Sequence, residues 1–252
     1  MKLNCDMGES FGAWTMGKDD QVMPHVHMAN VACGFHAADP MVMTQTVALA
    51  KAHAVTLGAH PSYPDLSGFG RRNMACSAAE ITAMVIYQVG ALEAIAQSQG
   101  MIVSYVKPHG ALYNQMMAEP NVLTAVMEAV VKLNIGRQQP LALVVQAGVN
   151  TDSINAQAKA LALPLEHEAF LDRAYRDNGL LVARSQPGAV ITDPAALMAR
   201  LDTLLASGEI ISESGNALAI NPTTLCVHGD SPASIALIAQ MRQRIDQYQA
   251  AQ

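Results

Sequence analysis

Ile102-Val103-Ser104-Tyr105-Val106-Lys107-Pro108-His109-Gly110 reads as a short apolar strand that ends in a lysine and turns through proline, histidine and glycine toward a helix. Three other stretches repeat the arrangement: Val31-Ala32-Cys33-Gly34-Phe35-His36, Leu57-Gly58-Ala59-His60-Pro61 and Cys226-Val227-His228-Gly229-Asp230. In parallel α/β folds, ligands sit outside the carboxyl ends of the strands, where each strand turns toward its helix. Half of the eight histidines occupy that one topological position, which scattered core histidines would rarely do. They point to a shared site.

Strands are expected at 2–5, 27–33, 55–59, 102–107, 141–146, 165–169 and 224–228, all short and apolar on both faces, as in a parallel sheet covered by helices. Helical patterns run between them. Ser77-Ala78-Ala79-Glu80 reads as a capping box before Ile81, Met84, Val85, Leu92 and Ile95 at helical spacing, with Gly100 as the stop. Asp39-Pro40, Asp193-Pro194 and Ser231-Pro232 each place a capping side chain before a proline at the first helical position. Leu197, Leu201, Leu204 and Leu205 give the 193–207 helix a buried stripe, closed by Gly208. Seven alternations with no linker predict an α/β fold, a single-domain seven-stranded parallel (β/α) barrel over residues 1–252. A doubly wound open sheet is the alternative. Two connections, 61–76 and 171–192, are long and rich in glycine, proline and arginine, and both should overhang the histidine-bearing face.

Hydrophobic residues make up 51% of the 252 residues and charged ones 14%, enough to bury a large core. The formal charge of −6, with no basic stripe, argues against nucleic acid as a partner. Bases gather instead near strand ends, at Arg71, Arg72, Lys107, Arg173, Arg176 and Arg184, where they suit a small anion. No stretch approaches eighteen uninterrupted apolar residues, and the start of the chain carries no apolar signal region, so neither a membrane nor secretion is expected. Cys5, Cys33, Cys76 and Cys226 form no Cys-x-x-Cys pair and read as reduced thiols in a cytoplasmic setting.

Asn4, Asp6 and Glu9 crowd the end of the first strand, where a carboxylate can orient a water, act as a base or ligate a metal. Lys107 should emerge into the mouth of the fold and hold a carboxylate or phosphoryl oxygen, or stabilise an oxyanion. On this reading, Lys107→Met would remove the charge and spare the fold. His60 and His109 are acid–base candidates. With Asp6 they form an Asp-His-His set suited to zinc or iron, although no spacing signature fixes it and the metal is left open. In Glu168-Ala169-Phe170-Leu171-Asp172-Arg173, Arg173 can clamp a substrate carboxylate or pair with Asp172. Gly12-Ala13-Trp14-Thr15-Met16-Gly17-Lys18 matches seven positions of a phosphate-binding P-loop, but Asp19 replaces the hydroxyl residue and no strand runs into Gly12. It is not a P-loop.

These residues together resemble the LamB/YcsF family, the family of the 5-oxoprolinase A-type chains. The motifs are Leu3-Asn4-Cys5-Asp6-Met7-Gly8-Glu9, Ala32-Cys33-Gly34-Phe35-His36-Ala37, Gly58-Ala59-His60-Pro61-Ser62-Tyr63-Pro64-Asp65, Gly68-Phe69-Gly70-Arg71-Arg72, Val106 to Asn114, Glu168 to Arg173 and Cys226 to Asp230. One departure is Ala38, where the family usually has glycine. The resemblance implies a seven-stranded barrel related to the glycoside hydrolase and deacetylase barrels. It also implies ATP-dependent opening of 5-oxo-L-proline to L-glutamate, with ATP and Mg as co-substrate and ion and the B and C subunits of 5-oxoprolinase as partners. The expected catalytic residues are Asp6, His60, Lys107 and His109. Asn4, Glu9, Asn30, His36, Arg72, Glu168, Arg173, His228 and Asp230 are expected to bind substrate. The alternatives are a metal-dependent amidohydrolase or deacetylase without ATP, and a non-catalytic subunit that only binds substrate.

Overall fold

The computed structural model describes residues 1–148, 151–184, 186–228 and 232–251. Asp230 and the expected cap Ser231 lie outside the described residues. Six strands follow the chain around the sheet: β1 (Lys2–Met7), β2 (Met28–Ala32), β3 (Thr56–His60), β4 (Val103–Val106), β5 (Ala142–Gln146) and β6 (Leu165–Phe170). A two-stranded antiparallel hairpin, β7 (Glu209–Ile211) and β8 (Ala217–Ala219), intervenes before β9 (Thr224–Val227). The barrel closes in the order β1-β2-β3-β4-β5-β6-β9, every pairing parallel. The expected seven-stranded barrel is therefore present, and its strands lie within two residues of the sequence-based bounds. The hairpin has no sequence signal, because three-residue strands carry no legible alternation.

The helices are α1 (Asp19–Val22), α2 (Pro40–Ala52), α3 (Ala78–Ser98), α4 (Gly110–Ala118), α5 (Pro120–Leu133), α6 (Thr151–Ala160), α7 (Pro194–Ser207) and α8 (Pro232–Ala250). The starts of α2, α3 and α7 follow the expected caps. Asp39 accepts from the amides of Met41 and Val42, Asp193 accepts from Ala196, and Ser77 and Glu80 form the reciprocal capping box. α3 is long and apolar enough by composition to cross a membrane. Its stripe of Ile81, Val85, Val89, Leu92 and Ala96 is buried in the main core, the ordinary fate of a barrel helix.

The two faces of the barrel sheet differ. Outward side chains such as Leu3, Cys5, Val31, Leu57, Val106, Leu143 and Leu225 join the helices in one large apolar core. Inward positions are polar: Asn4, Asn30, Tyr105, Lys107, Gln146, Glu168 and Thr224 are all buried. Met28, Tyr105 and Val144 make a small apolar plug there, with Ala142 packed against it. Strands apolar on both faces were expected, so the polar lumen is a correction. Buried polar atoms must be paired, and the lumen pairs them with one another. Asn4 Nδ2 donates to Thr224 Oγ1 (2.8 Å), Asn30 Nδ2 to Asn4 Oδ1 (2.7 Å), and the Tyr105 hydroxyl to Asn30 Oδ1 (2.7 Å).

Two backbone details position this network. Ala38 sits at φ 69, in the left-handed region, with its amide donating to Ser10 O (3.0 Å). That region suits glycine better than the alanine found there. Gly58, opposite Tyr105 across β3 and β4, leaves the room the phenol ring occupies, since a Cβ there would clash with two of the ring carbons, Cε2 and Cζ. Gly58→Ala should therefore lower stability by about 1–3 kcal/mol, as overpacking does in a closed core. The urea midpoint will fall accordingly; an unchanged midpoint would mean that Tyr105 has space to retreat.

Candidate active site

All four strand-end histidines lie at the carboxyl end of the barrel. His60 is the last residue of β3, His109 precedes α4, His36 follows β2 and His228 follows β9. They divide into a triplet and a separate member. His36 stacks on His109 with centroids 3.8 Å apart and planes 3° from parallel, and His60 meets both rings edge-on at 5.6 and 4.8 Å. His228 instead pairs with Asp172 through Nδ1 and Oδ2 at 2.8 Å.

Lys107 is at the centre. Its Nζ lies 3.1 Å from Asn4 Oδ1, 3.0 Å from Asp6 Oδ1, 2.8 Å from Glu168 Oε1 and 3.1 Å from Cys226 Sγ, and 5.6 Å from the Phe170 ring centroid. The side chain is only 3% exposed. The ammonium thus turns into the lumen beneath the mouth instead of emerging from it, a correction to the sequence reading. Burial opposes its charge, but Asp6, Cys226 and Glu168 hold its pKa well above the usual lysine value. Burial likewise works to raise Asp6, yet His60 and Lys107 keep its carboxyl well below the ordinary carboxylate range. The result is an ionised Asp6 that accepts from Asn30 Nδ2 (2.7 Å) and lines an open cavity.

The histidines have fixed orientations. His60 Nδ1 lies 2.6 Å from the Lys107 carbonyl, and His109 Nε2 lies 2.9 Å from the Phe69 carbonyl. Carbonyl oxygens only accept, so both nitrogens carry their protons there. The remaining nitrogens, His60 Nε2 and His109 Nδ1, face each other at 3.0 Å. His60 Nε2 is also 3.3 Å from Asp6 Oδ2, His109 Nδ1 3.6 Å from Glu9 Oε1, and His36 Nε2 3.3 Å from Glu9 Oε1. Burial pushes the pKa values of His36 and His109 well down, and burial together with Asp6 raises that of Glu9.

A cavity of about 510 Å³ opens over these groups, lined by Asp6, Glu9, His60, Lys107, His109 and His228, with Arg71, Arg173 and Arg184 also contributing. Both long loops overhang it. Phe69 and Arg71 come from one, and Leu180 to Arg184 from the other. Two expected binding residues do not present free charge. Arg72 is 66% exposed and engaged by Asp65 and Ser67, outside the cavity lining, and Arg71 faces the cavity in its place. Arg173 is buried, donating through Nη2 to Val182 O (2.6 Å) and through Nε to Ala189 O (3.4 Å), so it ties the second loop together. The alternative Asp172–Arg173 pair is also not what forms, because Asp172 turns to His228. Asn4, Asn30 and Glu168 lie in the lumen below the cavity, and His36 lies behind Glu9 and His109. The P-loop look-alike is a tight turn in which Phe11 pairs with Trp14 and the Gly12 amide donates to Asp39.

Sequence reasoning passes over Cys226 and Tyr105 as site residues. Tyr105 stands two residues before Lys107 on β4 and so shares its face, a parity signal that the sequence does carry. Cys226 looks like an ordinary apolar strand residue.

Family comparison points the same way as the motifs. A family model described as the LamB/YcsF family matches residues 1–252. A protein of Vibrio cholerae named as the A subunit of 5-oxoprolinase is 49% identical over 247 residues, covering 98% of each chain. A Pseudomonas putida protein, named as the second of that organism's 5-oxoprolinase A subunits, is also 49% identical, over 97% of this chain and 93% of its own. The crystal structure of a lactam utilization protein from Thermus thermophilus superposes with a TM-score of 0.88 at 40% identity, covering 98% of this chain and 96% of that one.

Removing the Lys107 charge should do more than the sequence suggests. Lys107→Met takes the cationic partner from Glu168 and leaves Asp6 with His60 alone, and stripping one partner from a buried ionic cluster costs about 3–5 kcal/mol. Urea unfolding is expected to register that loss; a variant as stable as the parent would show that water reaches the carboxylates.

The Asp172–His228 pair makes a pH-dependent contribution. Burial disfavours the His228 charge, but Asp172 raises its pKa above the ordinary 6.5. A histidine raised in the folded state stabilises most below its unfolded pKa, and the effect fades as pH rises through the folded value. Asp172→Asn should lower the His228 titration, because burial and Arg184 then oppose the charge with only Asp6 left to favour it. Imidazole NMR shifts against pH read this directly, and an unmoved midpoint would remove Asp172 as the cause.

Proposed function

This chain belongs to the LamB/YcsF family, and from that premise we propose that it is the A subunit of an ATP-dependent 5-oxoprolinase. It would open the lactam of 5-oxo-L-proline to L-glutamate, together with B and C subunits as partners. The observation that carries the reading is a carboxylate, Asp6, kept ionised by Lys107 and His60 and open to a cavity with arginines at its rim. A cavity of about 510 Å³ holds a five-membered lactam amply and suits a small-molecule site.

The chemistry asks for three things. A lactam is a resonance-stabilised amide, so its carbonyl carbon resists water until the oxygen is phosphorylated. Water then adds to that carbon, the C–N bond breaks with the electron pair and a proton going to nitrogen, and a second water releases phosphate. The sum is 5-oxoproline, ATP and two waters to glutamate, ADP and phosphate. An activated carbon needs only a weak base, so Asp6 can orient the water and take its proton despite its low pKa. Arg71 and Arg184 suit the substrate carboxylate or phosphoryl oxygens, and Lys107 supplies the positive field that keeps Asp6 charged. No phosphate-cradling Gly-rich loop is legible in this chain, which supports dependence on partners for the nucleotide.

The facing histidines favour a second reading, an amidohydrolase that needs a metal and no ATP. The two separate in one assay. Glutamate and ADP formation from 5-oxoproline should be little or none with this chain alone and appear when the B and C subunits are added. Robust ATP-coupled turnover by the isolated chain would overturn the need for partners. ATP-independent opening of the lactam would favour the amidohydrolase, and silence of the full mixture would sink the 5-oxoprolinase reading.

A further inference from the structure

His60 Nε2 and His109 Nδ1 stand 3.0 Å apart, and each ring's other nitrogen donates its proton to a backbone carbonyl. In neutral rings, two bare lone pairs therefore point at each other inside a wall that buries both residues. That arrangement is repulsive unless a proton on His60 Nε2, which Asp6 Oδ2 at 3.3 Å would also accept, or a metal ion sits between the two nitrogens. Glu9 Oε1 lies 3.6 Å from the same His109 nitrogen, and the donor atoms of Glu9, His36, His60 and His109 all fall within 4.8 Å of one another.

We propose that His60 Nε2, His109 Nδ1 and Glu9 Oε1 form a binding site for one divalent first-row transition ion of the zinc type, with its open position toward the cavity. Donor spacing supports this. Zinc bonds of about 2.0–2.1 Å in a tetrahedron set donors roughly 3.3 Å apart, and the two spacings here, 3.0 and 3.6 Å, bracket that value. The surrounding shell supports it independently. Metal-binding histidines nearly always donate the other ring N–H to a carboxylate, carbonyl or water, which fixes the tautomer, and both rings do so here. His36 completes the support, stacked on His109 and reaching Glu9 Oε1 at 3.3 Å. Three protein donors with a fourth position free is the pattern of a reactive site, not of a closed structural one.

This differs from the Asp6-His60-His109 set read from the sequence. Asp6 Oδ2 also stands 3.3 Å from His60 Nε2, but its Oδ1 is held by the Lys107 ammonium, which touches Cys226 as well, and Asp6 further groups with Cys226 and His228. The Lys107 ammonium thus serves the Asp6–Cys226 position, and the His60–His109–Glu9 position is built of donor atoms. A bound ion would polarise a carbonyl oxygen or lower the pKa of a water.

The inference shares the cavity with the proposed lactam site but does not rest on that function, and metal binding is read without substrate. Chelator-treated full-length protein, titrated with zinc alone, should take up one ion per chain by calorimetry and elemental analysis, and cobalt should give the absorption of a tetrahedral or five-coordinate site. Glu9→Gln, a conservative change at a half-buried position, and His109→Gln should each weaken zinc binding by at least about tenfold. His53→Gln, at the exposed end of α2, should not. If His109→Gln fails to fold, Glu9→Gln and the wild-type cobalt spectrum still decide. Absence of saturable binding to the wild type would overturn the site and leave a proton shared between the two rings. Binding that survives both substitutions unchanged would overturn it equally, because the ion would lie elsewhere.

Discussion

A lysine ammonium inside a closed barrel is the constraint on which the rest of this site depends. Taking such a charge out of water costs several kcal/mol even after relaxation. Lys107 offsets the cost only by gathering two carboxylates, an amide oxygen and a thiol sulfur within 3.1 Å. Those partners come from β1, β6 and β9, whereas the lysine follows β4 on the other side of the lumen. Its charge is therefore satisfied only when β9 joins β6 to β1 and the sheet closes. Electrostatics and topology specify one another here. The same contacts that make the ammonium tolerable keep Asp6 ionised at the cavity floor, so the chemistry is a by-product of how the charge is buried.

Much of the fold is legible because outward strand positions and helix stripes obey one rule, apolar against apolar. Leu3 and Cys5, Val31, Leu57 and Val106 all pack outward into the main core. The lumen is harder to read. Asn4, Asn30, Gln146 and Thr224 alternate with those residues along the strands, yet a four- or five-residue strand gives too few positions to separate an inner polar face from a frayed end. Tyr105 and Cys226 are harder still, since either fits an apolar wall. What places Tyr105 inside is the missing side chain at Gly58, and what gives Cys226 a role is an ammonium arriving from across the barrel. Neither fact is local in sequence.

Adjacent residues of like kind are the other limit. Arg71 and Arg72 are indistinguishable in the sequence, but the left-handed turn at Phe69 (φ 55) and Gly70 (φ 64) presents only the first to the cavity, and Asp65 takes the second. Asp172 and Arg173 diverge for a similar reason. The chain turns at Leu171 and Asp172 directly after β6, and there the acid reaches His228 while the base reaches the carbonyls of Val182 and Ala189. The sequence places both members of each pair near a strand end, but which of them faces the cavity depends on the local turn of the backbone.

The histidines carry this dependence one step further, from position to protonation. Which nitrogen of His60 and His109 faces the cavity is decided by the carbonyls of Lys107 and Phe69, not by any side chain. Phe69 belongs to the long connection after β3, and it can present its carbonyl because Gly70 packs tightly beneath the rings, where a Cβ would stand 2.9 Å from both His109 and His36. Crowding at Gly70 would push the loop outward, lengthen the Phe69–His109 hydrogen bond and free the ring to change tautomer. A proton would then occupy the nitrogen that now faces His60, exchanging a bare lone pair for a donor. The glycine-rich stretch that the sequence places over the histidine-bearing face therefore controls which ring nitrogen is bare there, and it does so entirely through backbone.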